Sequence, residues 1–330
     1  MKTIEKNIKL NKYSSKVFTM YFGKKSFAVF DIETTGLMPS SCRVIISGML
    51  FYPGYGDEGK IIQLFADKPD DEREIISRSM ELLGEADFIL TYNGRHFDVP
   101  FMQKRAQKHG LVFPDNLYDL DLYLVVNGHS NLREVLPSLS QKSVERYMGL
   151  ADTRDDEISG GESVRLYELY METKSFDLER RILLHNHDDL IQLYKLLPVI
   201  ASTDFHGAML RLGFPAGNLN IEKIMLKGRE LHVMAKQRTS PADYISFPTM
   251  DRPYSLIMDS SSGDAEIIIP CEVEAGALYF DAGLILGDGI SEIENYPAVT
   301  NGYLVVNDNG RTNPMEINAF LLAFLRSMPG

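Results

Sequence analysis

A short apolar run, Phe27–Phe30, leads directly into Asp31-Ile32-Glu33-Thr34-Thr35-Gly36-Leu37. This junction constrains the chain more than any other feature. An apolar run of this kind reads as the start of a buried strand. Side chains two apart on a strand point to one face, so Asp31 and Glu33 share a face and Ile32 points into the opposite layer. Two carboxylates on one face repel each other unless a cation lies between them. Hard divalent cations are held by one or two carboxylates together with phosphate oxygens. Thr34–Gly36 adds a turn where a ligand could approach the backbone. Two solvated acids at an exposed strand end would give the same three-residue pattern, but the flanking FAVF and TTGL argue against that reading.

The rest of the first two hundred residues predicts a layered α/β arrangement. Arg43–Tyr52 and Lys60–Ala66 are rich in β-branched and aromatic residues, and Gly-, Pro- and Ser-containing breaks separate them. With Phe27–Phe30 they predict three neighbouring antiparallel strands. Asp70–Leu83 has helical periodicity through Ile75, Ile76, Met80 and Leu83. Phe88–Tyr92 reads as a strand, Val99–His109 as a helix and Leu117–Leu122 as a last strand. Helical stretches follow at 131–148, 162–172 and 178–198. Successive strands followed by alternating helix and strand define an α/β sheet of five strands flanked by helices. Beyond Phe205 the pattern changes to short β-rich runs punctuated by Gly, Pro, Asp and Ser, then a strand at Tyr303–Asn307 and a closing helix at Met315–Ser327. The expected divisions are a basic segment at 1–26, the α/β domain at 27–204 and a smaller β-rich domain at 205–330.

Two further clusters carry chemistry. Tyr92-Asn93-Gly94-Arg95-His96-Phe97-Asp98 follows the predicted strand at 88–92 and opens a helix. There Asp98 is either a first-turn acid favoured by the helix dipole or a partner of the first pair. His185-Asn186-His187-Asp188-Asp189 lies in a helical stretch, where His185 and Asp189, four apart, share a face and Asp188 does not. An imidazole beside a carboxylate is suited to act as a general base near neutral pH; His187 is the second candidate for that role. Four acids from three segments (Asp31, Glu33, Asp98 and Asp189) would repel one another severely without cations. Two divalent cations, Mg²⁺ or Mn²⁺, about 3.5–4 Å apart would neutralise them and clamp a phosphodiester.

DIETTGL, YNGRHFD and HNHDD, in that order, resemble the three motifs of the DEDD 3′–5′ exonuclease superfamily over residues 26–200. The stretch Leu139–Tyr167, with Arg154 in its middle, is similar to the YprB-like predicted exonucleases of that superfamily. The resemblance implies a ribonuclease-H-like fold, with Asp31, Glu33, Asp98 and Asp189 as metal ligands and Asn93 and Phe97 lining the site. Thr34, Thr35, Gly36 and Leu37 are expected to meet the substrate, the 3′ end of DNA or RNA. The third motif departs from the family pattern. One branch places Tyr four residues before the last Asp and another places His five before it, whereas here His185 stands at four and Leu184 at five.

Composition bounds the remaining possibilities. Net charge is −12, yet residues 1–26 hold seven lysines against Glu5, a local +6. That segment is either a phosphate-tracking arm or an amphipathic helix with Ile4, Ile8 and Leu10 inward. The last 130 residues carry 9 basic and 16 acidic side chains, a poor match to a polyanion. Their acidity favours a protein partner or self-association instead. Cys42 and Cys271 are too few and too far apart for a disulfide framework or zinc cluster. With no apolar run long enough to span a bilayer, the expected setting is cytoplasmic, with no membrane partner. The same residues also allow a structure-specific endonuclease, or a non-catalytic nucleic-acid- or protein-binding module on the same fold.

Overall fold

The structure, a computed structural model, describes residues 1–327 apart from 115, 151–152, 156–157 and 159. Part of the Leu139–Tyr167 stretch therefore lies outside the described residues. The chain forms two compact units, one of residues 1–14 and 24–203, the other of 15–23 and 204 onward.

The first unit is a mixed six-stranded sheet. Its strands are β1 (Lys2–Lys9), β2 (Phe27–Thr34), β3 (Val44–Tyr52), β4 (Glu58–Phe65), β5 (Phe88–Thr91) and β6 (Asp119–Asp121), ordered β1-β4-β3-β2-β5-β6. β1, β4, β3 and β2 pair antiparallel; β2, β5 and β6 pair parallel. In chain order, α1 (Lys16–Phe22) belongs to the other unit. The helices of this unit are α2 (Glu72–Leu83), α3 (Asp98–Lys108), α4 (Leu122–His129), α5 (Leu132–Val135), α6 (Gln141–Tyr147), α7 (Gly160–Thr173) and α8 (Phe176–Lys195).

The central strands are buried on both faces, as their unbroken apolar runs require. Ala28, Phe30 and Ile32 join one core with Ile75 and Ile76 of α2. On the other face Phe27 stacks on Tyr194 of α8, centroids 6.1 Å apart. The alternation that sends Ile32 into the first layer therefore turns Asp31 and Glu33 toward α8.

Two expectations are corrected. The sheet has six strands rather than five because residues 2–9 form an edge strand, not a helix. Ile4 and Ile8 are four apart, a spacing that fits both periods; Leu10, buried two residues on, fits only the strand. Lysines along this edge suit its position, since charged side chains discourage further strand pairing. The second correction is at 131–148, where the predicted helix is broken into α5 and α6. Pro137 removes a backbone donor and biases Leu136 toward extended backbone, and Ser140 caps the new helix by accepting from Ser143 N.

A buried ion pair fastens the loop after the first motif. Arg105 of α3 and Glu72 of α2 are each 2% exposed and meet at 2.7 Å through Nε. Glu72 also accepts from Val44 N, and Arg105 donates to Pro39 O, so the pair clips both sides of residues 39–44. Removing one member of such a pair leaves an uncompensated charge. Arg105→Met is expected to lower unfolding free energy by about 3–5 kcal/mol in urea melts; a loss under about 1 kcal/mol would contradict this assignment.

In the second unit, β7 (Phe214–Ala216), β8 (Leu219–Lys227), β9 (Glu230–Gln237), β10 (Tyr244–Ser246), β11 (Ser255–Met258) and β12 (Asp264–Pro270) form an antiparallel sheet ordered β10-β11-β12-β9-β8-β7. A second antiparallel sheet contains β13 (Glu272–Glu274), β14 (Ala277–Asp281), β15 (Val299–Thr300), β16 (Tyr303–Asp308) and β17 (Arg311–Thr312). Helices α9 (Phe205–Leu212), α10 (Ala282–Leu286) and α11 (Pro314–Ser327) complete the unit. α11 is buried along most of its length, and Phe320 packs edge-on to Phe280, centroids 4.8 Å apart. Among the described residues no helix is long and apolar enough to cross a membrane. Cys42 and Cys271 are free thiols.

Candidate functional site

Strand β2 brings Asp31 opposite Gly48 and Glu33 opposite Ile46 of β3, and the pairing register shifts directly after Glu33. That irregularity ends the regular ladder where the TTG turn begins. Helix α8 crosses this face. His185 Nε2 lies 3.5 Å from Glu33 Oε1 and 3.6 Å from Asp189 Oδ2. Ligand atoms of Glu33, His185 and Asp189 all fall within 4.8 Å of one another. The unusual four-residue spacing of His185 and Asp189 is what lets both reach Glu33 from one helix face.

Asp98 is tied to the first motif through the backbone. The parallel β2–β5 pairing stops at Val29–Leu90, and the Asp98 carboxylate takes the Ile32 N–H beyond it at 3.0 Å. Asp31 is close enough to Asp98, Asp189 and Glu33 for their charges to act on it. Burial, followed by those three like charges, drives its carboxyl well above the ordinary carboxylate range. Glu33 is pushed up to about 7, chiefly by burial, which the nearby His185 opposes. Asp98 is likewise pushed up to about 7, by burial first, although the Ile32 N–H favours its charged form. The four acids are thus together, and each of these three holds its proton more tightly than a free carboxyl.

Several residues that serve this site have roles that no local sequence signal assigns. Asn186, fully buried, donates to Asp31 Oδ2 at 2.8 Å and accepts from Gln63 Nε2 at 2.8 Å. Gln63 also donates to Leu183 O, so the chain Gln63–Asn186–Asp31 fixes the orientation of the first acid. Space for it depends on Gly48: a Cβ there would sit 2.1 Å from Asn186 Oδ1. Gly48→Ala is expected to cost about 1–3 kcal/mol in overpacking and to free the Asp31 carboxylate. Urea melts beside a metal-affinity titration would check this, and an alanine variant matching the wild type in both would contradict it.

Asp121 orders the second motif. It caps α4 through Tyr123 N and Leu124 N, and accepts from Asn93 N at 2.8 Å and Arg95 N at 3.1 Å. Asn93 takes a left-handed conformation, φ 67°, which asparagine tolerates better than most residues. The pattern DLDL around Asp121 reads as plain strand, and no local signal marks the side chain as a brace.

Arg154 reaches the third motif. Its guanidinium contacts Glu145 through Nε at 2.6 Å and Asp189 Oδ1 through Nη2 at 2.6 Å. Neighbouring α8 side chains hold that segment: Asp188 accepts from Asp155 N, and Gln192 donates to Thr153 O. Asp188 is thereby occupied in structure, and His187 meets Asp188 rather than Asp189.

The expected substrate-contacting residues divide. Thr34, Gly36, Leu37 and Phe97 line one cavity of about 630 Å³ together with Glu33, His185 and Asp189. Thr35 instead holds the loop, its Oγ1 accepting from Arg43 N. Asn93 lines an adjoining cavity of about 540 Å³. Asp31 and Asp98 do not line either cavity.

A mixed sheet in this order, with acids on its central strand facing a helix that carries a further acid, defines a ribonuclease-H-like protein. The chain belongs to the RNase H superfamily: the family's model matches residues 28–200, just over half of the chain. It is also similar to a DNA polymerase of Pyrococcus glycovorans, 34% identical over 95 residues, and to DNA polymerase 1 of Pyrococcus abyssi, 40% identical over 99 residues. These matches cover 26% and 27% of this chain and 12% of each polymerase. Among solved structures, the family B DNA polymerase of Pyrobaculum calidifontis aligns with 91% of this chain and 46% of its own at 14% identity, with a TM-score of 0.44.

Proposed function

We propose that the chain is a metal-dependent 3′–5′ exonuclease of the DEDD type, hydrolysing phosphodiester bonds of DNA or RNA. The observation that carries this reading is the meeting of buried Glu33 and His185 with half-buried Asp189 within 4.8 Å, with Asp31 beside them under the charge of Asp98, Asp189 and Glu33. Its carboxylates repel one another as they stand, and their oxygens suit divalent cations. We assign Asp31, Glu33, Asp98 and Asp189 as ligands of two Mg²⁺ or Mn²⁺ ions. When bound, such ions make water a usable nucleophile at neutral pH and offset charge on the phosphodiester.

The remaining work falls to the chain's own residues. His185 Nε2 is the proton acceptor for the attacking water, and its 3.6 Å approach to Asp189 Oδ2 keeps the ring aimed into the cavity. Leu37 and Phe97 give the terminal nucleotide an apolar wall, and Thr34 and Gly36 the turn beside it. Asn186 and Gln63 keep Asp31 in one rotamer, so the site is ordered before substrate arrives. Arg154 on Asp189 supports the YprB-like branch, whose similar linker precedes the third motif.

A 5′-labelled single strand tests the reading directly. With Mn²⁺ the expected products are a ladder shortening from the 3′ end, while a circular strand stays intact. Cleavage of the circle would make the protein an endonuclease, and no cleavage of any 3′-ended single strand or duplex would sink the exonuclease reading.

A further inference from the structure

The second unit takes one segment from the first 203 residues: 15–23, which holds α1, while β1 and β2 on either side belong to the first unit. At seven residues α1 is too short to be stable alone. Its attachment is partly apolar. Phe18, Tyr21 and Phe22 are buried, and the Tyr21 ring meets Phe205 of α9 and Phe214 of β7 at centroid distances of 5.7 and 5.0 Å. The polar end of Tyr21 makes a second, more specific attachment. Its hydroxyl lies 2.6 Å from His206 Nδ1 on α9 and accepts from Asn318 Nδ2 of α11 at 2.9 Å.

The donors and acceptors of this cluster fix where its protons lie. Asn318 Nδ2 also donates to His206 O at 3.0 Å. A carbonyl only accepts, so the Asn318 amide has one orientation; flipping it would set oxygen against oxygen. Tyr21, having accepted from Asn318, keeps its own hydrogen for His206 Nδ1. Nδ1 is therefore an acceptor, and the ring is neutral with its hydrogen on Nε2. Tyr21 is 1% exposed and Asn318 is fully buried, so water does not compete for these contacts. A proton added to the ring lands on Nδ1 and faces the Tyr21 hydrogen. The 2.6 Å contact then breaks, or reverses once the Tyr21 hydrogen moves to another acceptor. Among the described residues, the charges acting on the ring are Asp204 at the cap of its own helix and Glu316 of α11; α1, β7 and β8, which also pack there, add none. Burial outweighs both charges and holds the imidazole below its ordinary value.

We propose that Tyr21, His206 and Asn318 form a proton-controlled latch, which fastens α1 into the second unit while His206 is neutral and loosens it in mild acid. The latch uses no residue of the acid site, so it holds or fails independently of the nuclease reading. Its sign follows from the ring holding a proton less tightly in the folded chain than in the unfolded one. The attachment is complete above the ordinary value of 6.5 and weakens as pH falls below it. Glu33 and Asp98 of the first unit respond in the opposite sense, since each holds its proton more tightly when folded. Acid therefore separates the two effects.

The test is hydrogen–deuterium exchange of the full chain in chelator at pH 8 and at pH 5, each rate divided by that of an unstructured peptide at the same pH. Peptides covering 15–23 should lose about tenfold in protection from pH 8 to pH 5, the scale of one buried hydrogen bond left unmade. Peptides covering β2 should keep their protection or gain some. His206→Asn puts a carbonyl oxygen that does not titrate near the place of Nδ1, and should keep α1 protected at both pH values. Tyr21→Phe should bring the acid level of protection already at pH 8, and an NMR titration of this variant should show the His206 ring taking its proton at a higher pH than in the wild type. Thermal melts identify any variant that fails to fold, and the wild-type comparison needs no variant. Equal protection of 15–23 in the wild type at both pH values overturns the latch, as does a folded His206→Asn that loses protection in acid as the wild type does.

Discussion

Asp31→Asn is expected to abolish metal-dependent hydrolysis and, at the same time, to raise the melting temperature of the metal-free protein at pH 8. The first effect follows from the proposed role of Asp31 as a ligand. Partners one layer out from a metal typically cost 10–100-fold when removed, so loss of a ligand should exceed about a hundredfold. The second effect follows from charge. Asp31 holds its proton well above the ordinary range because it is buried among Asp98, Asp189 and Glu33, so its ionised form destabilises the fold when no cation is present. Asparagine keeps the shape and can still accept from Asn186 Nδ2, the contact now made at 2.8 Å, but carries no charge. For a chain this size each kcal/mol recovered shifts the melt by about 2–4 °C. Because burial and the like charges of Asp98, Asp189 and Glu33 favour the protonated acid, the gain should shrink as pH is lowered. An Asp31→Asn protein that keeps wild-type turnover, or melts lower than wild type at pH 8 in chelator, would contradict this account of the site.

Acidity should act in the same sense on the wild-type protein. Glu33 and Asp98 hold folded-state values of about 7 against ordinary values of 4.5 and 3.8. Between those limits the folded chain binds more protons than the unfolded one, so metal-free stability falls as pH rises. The contribution is whole below about pH 4 and gone above about pH 7. Asp119, pushed up to about 8 by burial and by Asp121, extends the decline slightly. Divalent cation reverses the trend, because it binds the deprotonated acids and only the folded chain gathers them. Melts in chelator should therefore drop by several degrees from pH 5 to pH 8 relative to melts in Mn²⁺, and the Mn²⁺-induced shift should be much larger at pH 8. Equal Mn²⁺ shifts at both pH values would contradict it.

How far the sequence foretold this structure depended on whether information was local. β2 and β3 were legible because their apolar runs are long and bounded by turns. The Asp31–Glu33 face was legible because a two-residue period allows only one arrangement. His185 and Asp189 were legible as a helix pair. β1 was not, because Ile4 and Ile8 satisfy helix and strand alike, and its pairing with β4 joins residues 49 to 63 positions apart. Gly48 and Gln63 were invisible for the same reason, and Asn186 showed only as part of the third motif: their task is to fit against one another across β3, β4 and α8. Asp121 is one more strand residue in the sequence, and only the fold puts its carboxylate on the backbone of the second motif. Arg154 stands out in the sequence only as part of a resemblance, and its contact with Asp189 needed the fold.

The Asp31–Glu33 pair stands at the centre of the account, and its claim is that these acids gather divalent cations. A crystal of the wild-type protein grown with saturating Mn²⁺, with anomalous diffraction recorded at the manganese edge, tests it most directly. The account predicts two peaks among Asp31, Glu33, Asp98 and Asp189, separated by about 3.5–4 Å, with Asp189 turned at least partly from Arg154 toward the metal. No peak within bonding distance of Asp31 or Glu33 at saturating Mn²⁺ would contradict it.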